Sequence, residues 1–292
     1  MSAAAVSVSS ASDNRPSLNW RLVAPLALAY ALFFLSPLVL LAATSFYDDE
    51  AMTEFGLGQW RKLFTDPFYL NAVLDTMRLG VITVLATVVL AYPLAIVFAL
   101  LSPRGKRILL FIIILPLLTS VVVRTFAWIA ILAREGVINQ TLQALGLTSE
   151  PIRLLQTEFG VVLALTQIEM PLMLLPLCTV LSRLDPRLID ASLALGASLW
   201  RTLIKVVIPL SLPGLVAGCL LVFASSVTAF ITQSVIGGGR LMYLPALVWQ
   251  QAMVVYNWPF AAVISMTLLS AVLIVAAALS AVGNHIERKV HG

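Results

Sequence analysis

Six apolar runs, each about as long as a helix needs to cross a hydrocarbon layer of about 30 Å, constrain this 292-residue chain more than any other feature. They fall at 22–46, 77–101, 108–133, 159–181, 212–236 and 259–282. A membrane barrel would need short segments that alternate apolar and polar residues. These runs are instead continuous and rich in Leu, Ala and Val. In lipid the backbone must satisfy its own hydrogen bonds, and a helix does so segment by segment. The expected fold is an all-α membrane protein with six transmembrane helices. Hydrophobic residues make up 60% of the chain and charged residues 11%, which excludes a soluble domain built on one core.

The sign of the connecting segments sets the expected orientation. With Met1 inside, cytoplasmic pieces hold eleven basic residues against six outside, with Arg124 left within the third run. The tight turn at 102–107 alone contributes Arg104, Lys106 and Arg107. By the positive-inside rule both termini are expected in the cytoplasm. The net charge of +4 then reports topology and implies no nucleic acid partner. Residues 1–21 read as a disordered cytoplasmic tail, since no basic residue precedes Arg15 and the following run is long for a cleaved signal. Residues 22–282 read as one transmembrane domain and 283–292 as a cytoplasmic tail.

Catalytic chemistry has little to stand on. Cys178 and Cys219 fall inside spans, and the two histidines, His285 and His291, sit in the tail, so no metal-ligand cluster is expected. Ser225, Ser226 and Thr228 cluster on the fifth span, yet no span holds a His or Lys to activate them. A small-residue packing face accounts for them. No GxxxxGK[ST] sequence occurs, and Gly237-Gly238-Gly239 lacks the following Lys and reads as a turn. The expectation is no catalytic residue and no cofactor bound by this chain.

Between the fourth and fifth spans lies a polar island, 182–203, within a loop at 182–211. Asp185-Pro186 is a helix entry, and Asp190 is expected near a helix start, where the dipole favours an acid. Leu193, Leu195, Leu199 and Leu203 offer apolar contact, flanked by Arg201 and Lys205. Gly196 admits a close backbone or breaks the helix in two. Pro209 and Pro213 bend the chain into the fifth span. The pattern fits a helix lying on the bilayer, or a knob that docks on a soluble partner.

The spacing resembles the EAA motif of permease subunits from binding-protein-dependent ABC importers. Here it reads Asp190-Ala191-Ser192, then Gly196, then Val206-Val207-Ile208-Pro209. Asp replaces Glu, Ser the second Ala, Val206 an Ile and Ile208 a Leu, while the Gly and Pro spacing is kept. Leu115-Pro116-Leu117-Leu118-Thr119-Ser120 with Val123-Arg124-Thr125-Phe126-Ala127-Trp128, then Gly136-Val137-Ile138-Asn139, Leu145-Gly146-Leu147 and Asn257-Trp258-Pro259-Phe260, are similar to the spermidine/putrescine-type group. The resemblance implies a type I ABC-importer permease architecture in a bacterial inner membrane. It implies a second permease subunit, two ATP-binding subunits that hold ATP and Mg, and a periplasmic substrate-binding protein. Asp190, Ala191, Ser192, Gly196, Leu199, Arg201 and Pro209 would transmit ATPase motion through a helix at 190–203. The cargo it implies is a polyamine such as spermidine or putrescine, with opines and phosphonate-type compounds carried by the same machinery. An ion-coupled secondary transporter would call for inverted repeats, and none is visible.

Two charges fall inside spans. A charge at mid-bilayer costs about 2.5–3.5 kcal/mol on insertion scales, so such groups face a cavity or a partner. Glu169 either lines a substrate pathway as counter-charge to a cation, or pairs with Arg124 or with the second permease subunit and locks helices. Trp128, near a membrane edge, completes the pathway candidates.

Overall fold

The structure, a computed structural model, describes residues 20–291. Among the described residues there is no β-strand, and one isolated bridge joins Tyr47 to Phe55. The chain forms two compact units, Met1–Ala43 and Thr44–Gly292. Most of helix α1 (Trp20–Thr44) makes up what is described of the first. Its apolar window is wholly unburied, and Leu26, Phe33 and Leu40 stand out from it, which hydrocarbon tolerates and water does not. The expectation for 1–21 lies almost wholly outside the described residues.

The second unit holds α2 (Gly58–Thr65), α3 (Pro67–Leu100), α4 (Pro103–Ile114), α5 (Val121–Leu132), α6 (Val137–Ala144) and α7 (Glu158–Leu181). It continues with α8 (Pro186–Ala194), α9 (Leu199–Thr202), α10 (Ile208–Thr228), α11 (Phe230–Gly237), α12 (Leu244–Trp249) and α13 (Trp258–His291). Helix α7 is the central post, apolar all round and buried along most of its length. Helix α3 runs parallel to it, since Leu79 shares one core cluster with Val161 and Phe98 another with Leu181. Close approach follows from small residues. Ala72, Thr76, Gly80, Thr83, Thr87, Ala91 and Ala95 form a buried stripe on α3. On α10, Gly214 and Gly218 press against α7, where a Cβ would stand 2.8 Å from the Pro176 carbonyl oxygen and 2.5 Å from Met173 Sδ. That is small-xxx-small packing, which replaces the missing hydrophobic drive between helices in lipid.

Among the described residues five helices are long and apolar enough to span a membrane, and a sixth candidate is a bent pair. The bend lies within the third span expected at 108–133. The segments Pro103–Leu118, which ends in a 3-10 turn containing Pro116, and Val121–Ala144 meet at 96° across Thr119 and Ser120. Thr119 is extended and its hydroxyl donates to the Pro116 carbonyl at 2.7 Å, while Ser120 Oγ accepts from Val122 N at 3.3 Å and restarts the helix. The fifth span, expected at 212–236, also breaks. Ala229 (φ −73°, ψ 62°) ends α10, and Gln233 Nε2 donates to the freed Ser226 carbonyl at 2.7 Å. The second span begins ten residues earlier than expected, at Pro67, where Asp66 caps Phe68 N at 2.9 Å. Helix α13 continues through the expected tail to His291.

Candidate functional site

The polar island folds as two helices and a joint. Asp185 Oδ1 accepts from Arg187 N at 3.0 Å and starts α8, with Pro186 at its first position. Asp190 therefore lies past the first turn, exposed on α8, which corrects its expected place at a helix start. Gly196 has φ +82° and closes α8 with a Schellman motif: its N–H bonds Leu193 O at 2.9 Å, and Ala197 N bonds Ser192 O at 3.2 Å. Of the two roles expected for Gly196, the break of the helix at 190–203 into two pieces is the one seen, because the left-handed turn that Gly196 permits stops α8. Ser198 Oγ caps Arg201 N at 3.3 Å and opens α9. Asp190, Ala191, Gly196, Leu199 and Arg201 are all exposed. Ser192 is half-buried, and its hydroxyl meets that of Thr202, buried behind it, at 2.9 Å, so α8 and α9 are clasped across the joint. The π-helical turn Leu203–Val207 follows, in which Ile208 N reaches back to Leu203 O. Pro209 has no N–H and crowds the carbonyl four residues back, which the widened turn accommodates. Ser211, buried, then bonds Tyr92 of α3 at 2.6 Å.

The pathway candidates lie elsewhere, on α5 and α7, with Glu169 buried and Arg124 and Trp128 half-buried. Glu169 on α7 is 5% exposed. Among the described residues no contact ion pair joins Arg124 to Glu169. Arg124 Nη1 instead donates to the Ile168 carbonyl at 3.2 Å, and its Nε is buried without a partner. Next to Arg124, Thr125 meets Thr232 of α11 at 3.0 Å, and Gln233 Oε1 is a buried acceptor without a partner. Trp128 lies on the next turn of α5, and its indole donates to Gln167 Oε1 on α7 at 3.1 Å. Ser225 lines a groove of about 600 Å³ between α10, α12 and α13, with Thr228, Ser265 and Leu268. Gln167, Ser225 and Gln233 are polar residues near these positions that were not among the expected ones. A polar side chain in an apolar run was the available signal, but it does not say which neighbour it faces.

A helical bundle of apolar spans, broken at two of them and interrupted by an exposed two-helix knob, is the architecture of a transport permease. The sequence matches the family described as binding-protein-dependent transport system inner membrane component over residues 91–291, and the chain belongs to that family. It is 34% identical over 241 residues to the spermidine/putrescine transport system permease protein PotB of Escherichia coli K12, covering 81% of this chain and 87% of that one. With PotB of Haemophilus influenzae the identity is 30% over 248 residues, covering 83% and 86%. Its fold matches a chain in the crystal structure of a bacterial ABC transporter that imports the acidic polysaccharide alginate. The TM-score there is 0.75 at 15% identity, covering 91% of this chain and 95% of the other.

Proposed function

We propose that this chain is one of two permease subunits of an ATP-driven polyamine importer in a bacterial inner membrane, with spermidine or putrescine as cargo. The observation that carries the cargo is its identity to PotB from two organisms over more than four-fifths of its length. Two ATP-binding subunits, which hold ATP and Mg, receive the exposed face of α8 and α9 in surface clefts. A periplasmic binding protein delivers the polyamine to the opposite end, and both termini of this chain lie in the cytoplasm. Asp190, Ala191, Ser192, Gly196, Leu199, Arg201 and Pro209 carry the ATPase stroke into α10, and the pathway swings between inward and outward access as a bistable body. Glu169, with Arg124 and Trp128 nearby, is the counter-charge in the pathway. Uptake of radiolabelled spermidine by cells lacking the chain tests this reading. Wild type and Asp190→Glu are expected to restore uptake, and Asp190→Lys to abolish it while still inserting in the membrane. Uptake that persists without the ATP-binding subunits would remove the ATP-driven reading.

A further inference from the structure

We infer that Arg124 reaches out of this chain to a carboxylate of the second permease subunit, and that the face of α5 holding Arg124 and Ala127 is where that subunit packs. The inference rests on the reading of the chain as one of two permease subunits of a polyamine importer.

Arg124 lies deep in its span. It stands ten residues before Arg134, at the outer end of that span, and so about 15 Å of helix inside it. A long arginine stem can carry its head back toward water. This one does not. Nη1 donates to the Ile168 carbonyl at 3.2 Å, and Ile168 is itself ten residues into α7 from Glu158. Leu132 and Val161 share a core cluster, so the outer ends of α5 and α7 lie together and the guanidinium is pinned at depth.

Its charge is unmet there. Among the described residues the ion pair is that of Arg78 with Glu158, and Arg124 joins none. Glu169 is buried within this chain and not in contact with it. Nε is buried without a partner, whereas Nη2 makes no hydrogen bond among the described residues and, unlike Nε, is not sealed off. A bare charge at mid-bilayer costs about 2.5–3.5 kcal/mol on insertion scales. It would also repel a polyamine that passed it. A carboxylate on Nη2 removes both penalties.

The surroundings fix the side from which that carboxylate comes. Arg124, Ala127 and Trp128 stand three and four residues apart on one face of α5, with Ser120 a turn before Arg124. Ser120 and Ala127 are exposed, while Thr125 and Leu132 are buried toward α11 and the core. The bend at Thr119 and Ser120 falls about midway between Arg107 and Arg134 and takes backbone groups out of the helical ladder. Lipid cannot satisfy such groups at mid-depth, so protein or a water-filled path must cover them. Gln167, exposed in the middle of α7, holds the Trp128 indole beside this face and is equally unsuited to lipid. Water alone would leave Arg124 as a positive barrier to the cargo. A second permease subunit carrying an Asp or Glu within a span covers the face and neutralises it.

The first test leaves Arg124 as it is and uses the whole transporter in native membranes. A benzophenone amino acid replaces Ala127, and the photo-adduct is mapped by mass spectrometry. The expected adduct is to a span of the second permease subunit that contains an Asp or Glu. An adduct to lipid alone or to another subunit, or none in an intact complex, overturns the inference. If no second permease subunit co-purifies with this chain, the two-permease reading itself fails, which is a distinct result. The charge is then tested by Arg124→Glu, expected to lower recovery of the paired permeases severalfold. Recovery is expected to return when the acid in the adduct segment is exchanged for Lys. An arginine that only braces its own chain would not be rescued, and absence of rescue overturns the ion pair. Should Arg124→Glu not insert, Arg124→Gln is combined with the amide of that acid. The double change is expected to cost no more than either single one, and additive losses overturn the pairing.

Discussion

Asn139 shows how one side chain can replace a piece of secondary structure. It is 1% exposed, its amide donates to the carbonyls of Ala133 at 3.1 Å and Ile152 at 2.9 Å, and its oxygen accepts from Ile152 N at 2.9 Å. The loop between α6 and α7 is tied by these bonds to the end of α5. Asn139→Ala leaves the N–H and carbonyl of Ile152 short of a partner, each costing about 1–3 kcal/mol, while the Ala133 carbonyl keeps the Gly136 N–H. Asn139→Asp keeps the accepting oxygen but turns the donor into a second acceptor facing two carbonyls, and is expected to do no better. Thermal unfolding of the detergent-solubilised protein checks this, and a midpoint unchanged in both variants would show that water replaces the bonds. At this scale the sequence was informative about chemistry and silent about pairing. Glu169 and Arg124 announced themselves as charges in apolar runs, and the structure does bring them near each other. The Ile168 carbonyl that holds Arg124 did not, because a carbonyl on a helix can face any of several neighbours until the helices are packed.

Helices α7 and α10 show what was readable at the scale of elements. Gly214 and Gly218, four apart, are the small-xxx-small pattern in plain view, and they fix where α10 crosses α7. At Gly218 the obstruction is partly the flexible end of Met173 and partly its backbone, with Cα and carbonyl oxygen each 3.2 Å from an added Cβ. Gly218→Ala is therefore expected to cost about 1–3 kcal/mol by overpacking, and Gly218→Leu to prevent the two helices from closing. Yield of folded protein after extraction, compared among Gly, Ala and Leu, measures this, and equal yields would put the contact elsewhere. Span number and order followed from apolar length, because lipid leaves the backbone no other choice. The breaks were harder to read. Pro116 marks the corner before α5, yet prolines also sit inside the unbroken helices α3 and α7, so proline alone does not identify a bend. Ala229 carries no signal at all, since neither Gly nor Pro stands there and the break is held by Gln233 reaching back to Ser226.

Across the molecule, the exposed knob and the membrane core are joined by one element. Helix α10 rises about 30 Å from the π-helical turn at Leu203–Val207 to Thr228, and carries Ser225 near its far end. On the proposed function, a displacement of α8 would reach α9 through the Ser192–Thr202 clasp, enter the turn at Pro209, and meet α3 at the Tyr92–Ser211 bond before Ser225. Gly196 decides whether the first of these steps works. Its φ of +82° suits glycine, and an added Cβ there would meet nothing within 4 Å, so any effect of substitution comes from the backbone and none from crowding. A left-handed residue other than glycine costs roughly 1–2 kcal/mol, least for Asn and most for a β-branched side chain. Gly196→Asn is thus expected to keep spermidine uptake near wild type. Gly196→Val is expected to straighten or loosen the joint, lowering uptake severalfold while ATP hydrolysis by the assembled complex continues. The measurement is spermidine moved per ATP hydrolysed in vesicles, which separates lost coupling from lost assembly. If Val and Asn variants transport alike, the left-handed turn is a local helix stop with no part in transmission. A fall in that ratio for Val alone places the joint in the line of force from the knob into α10.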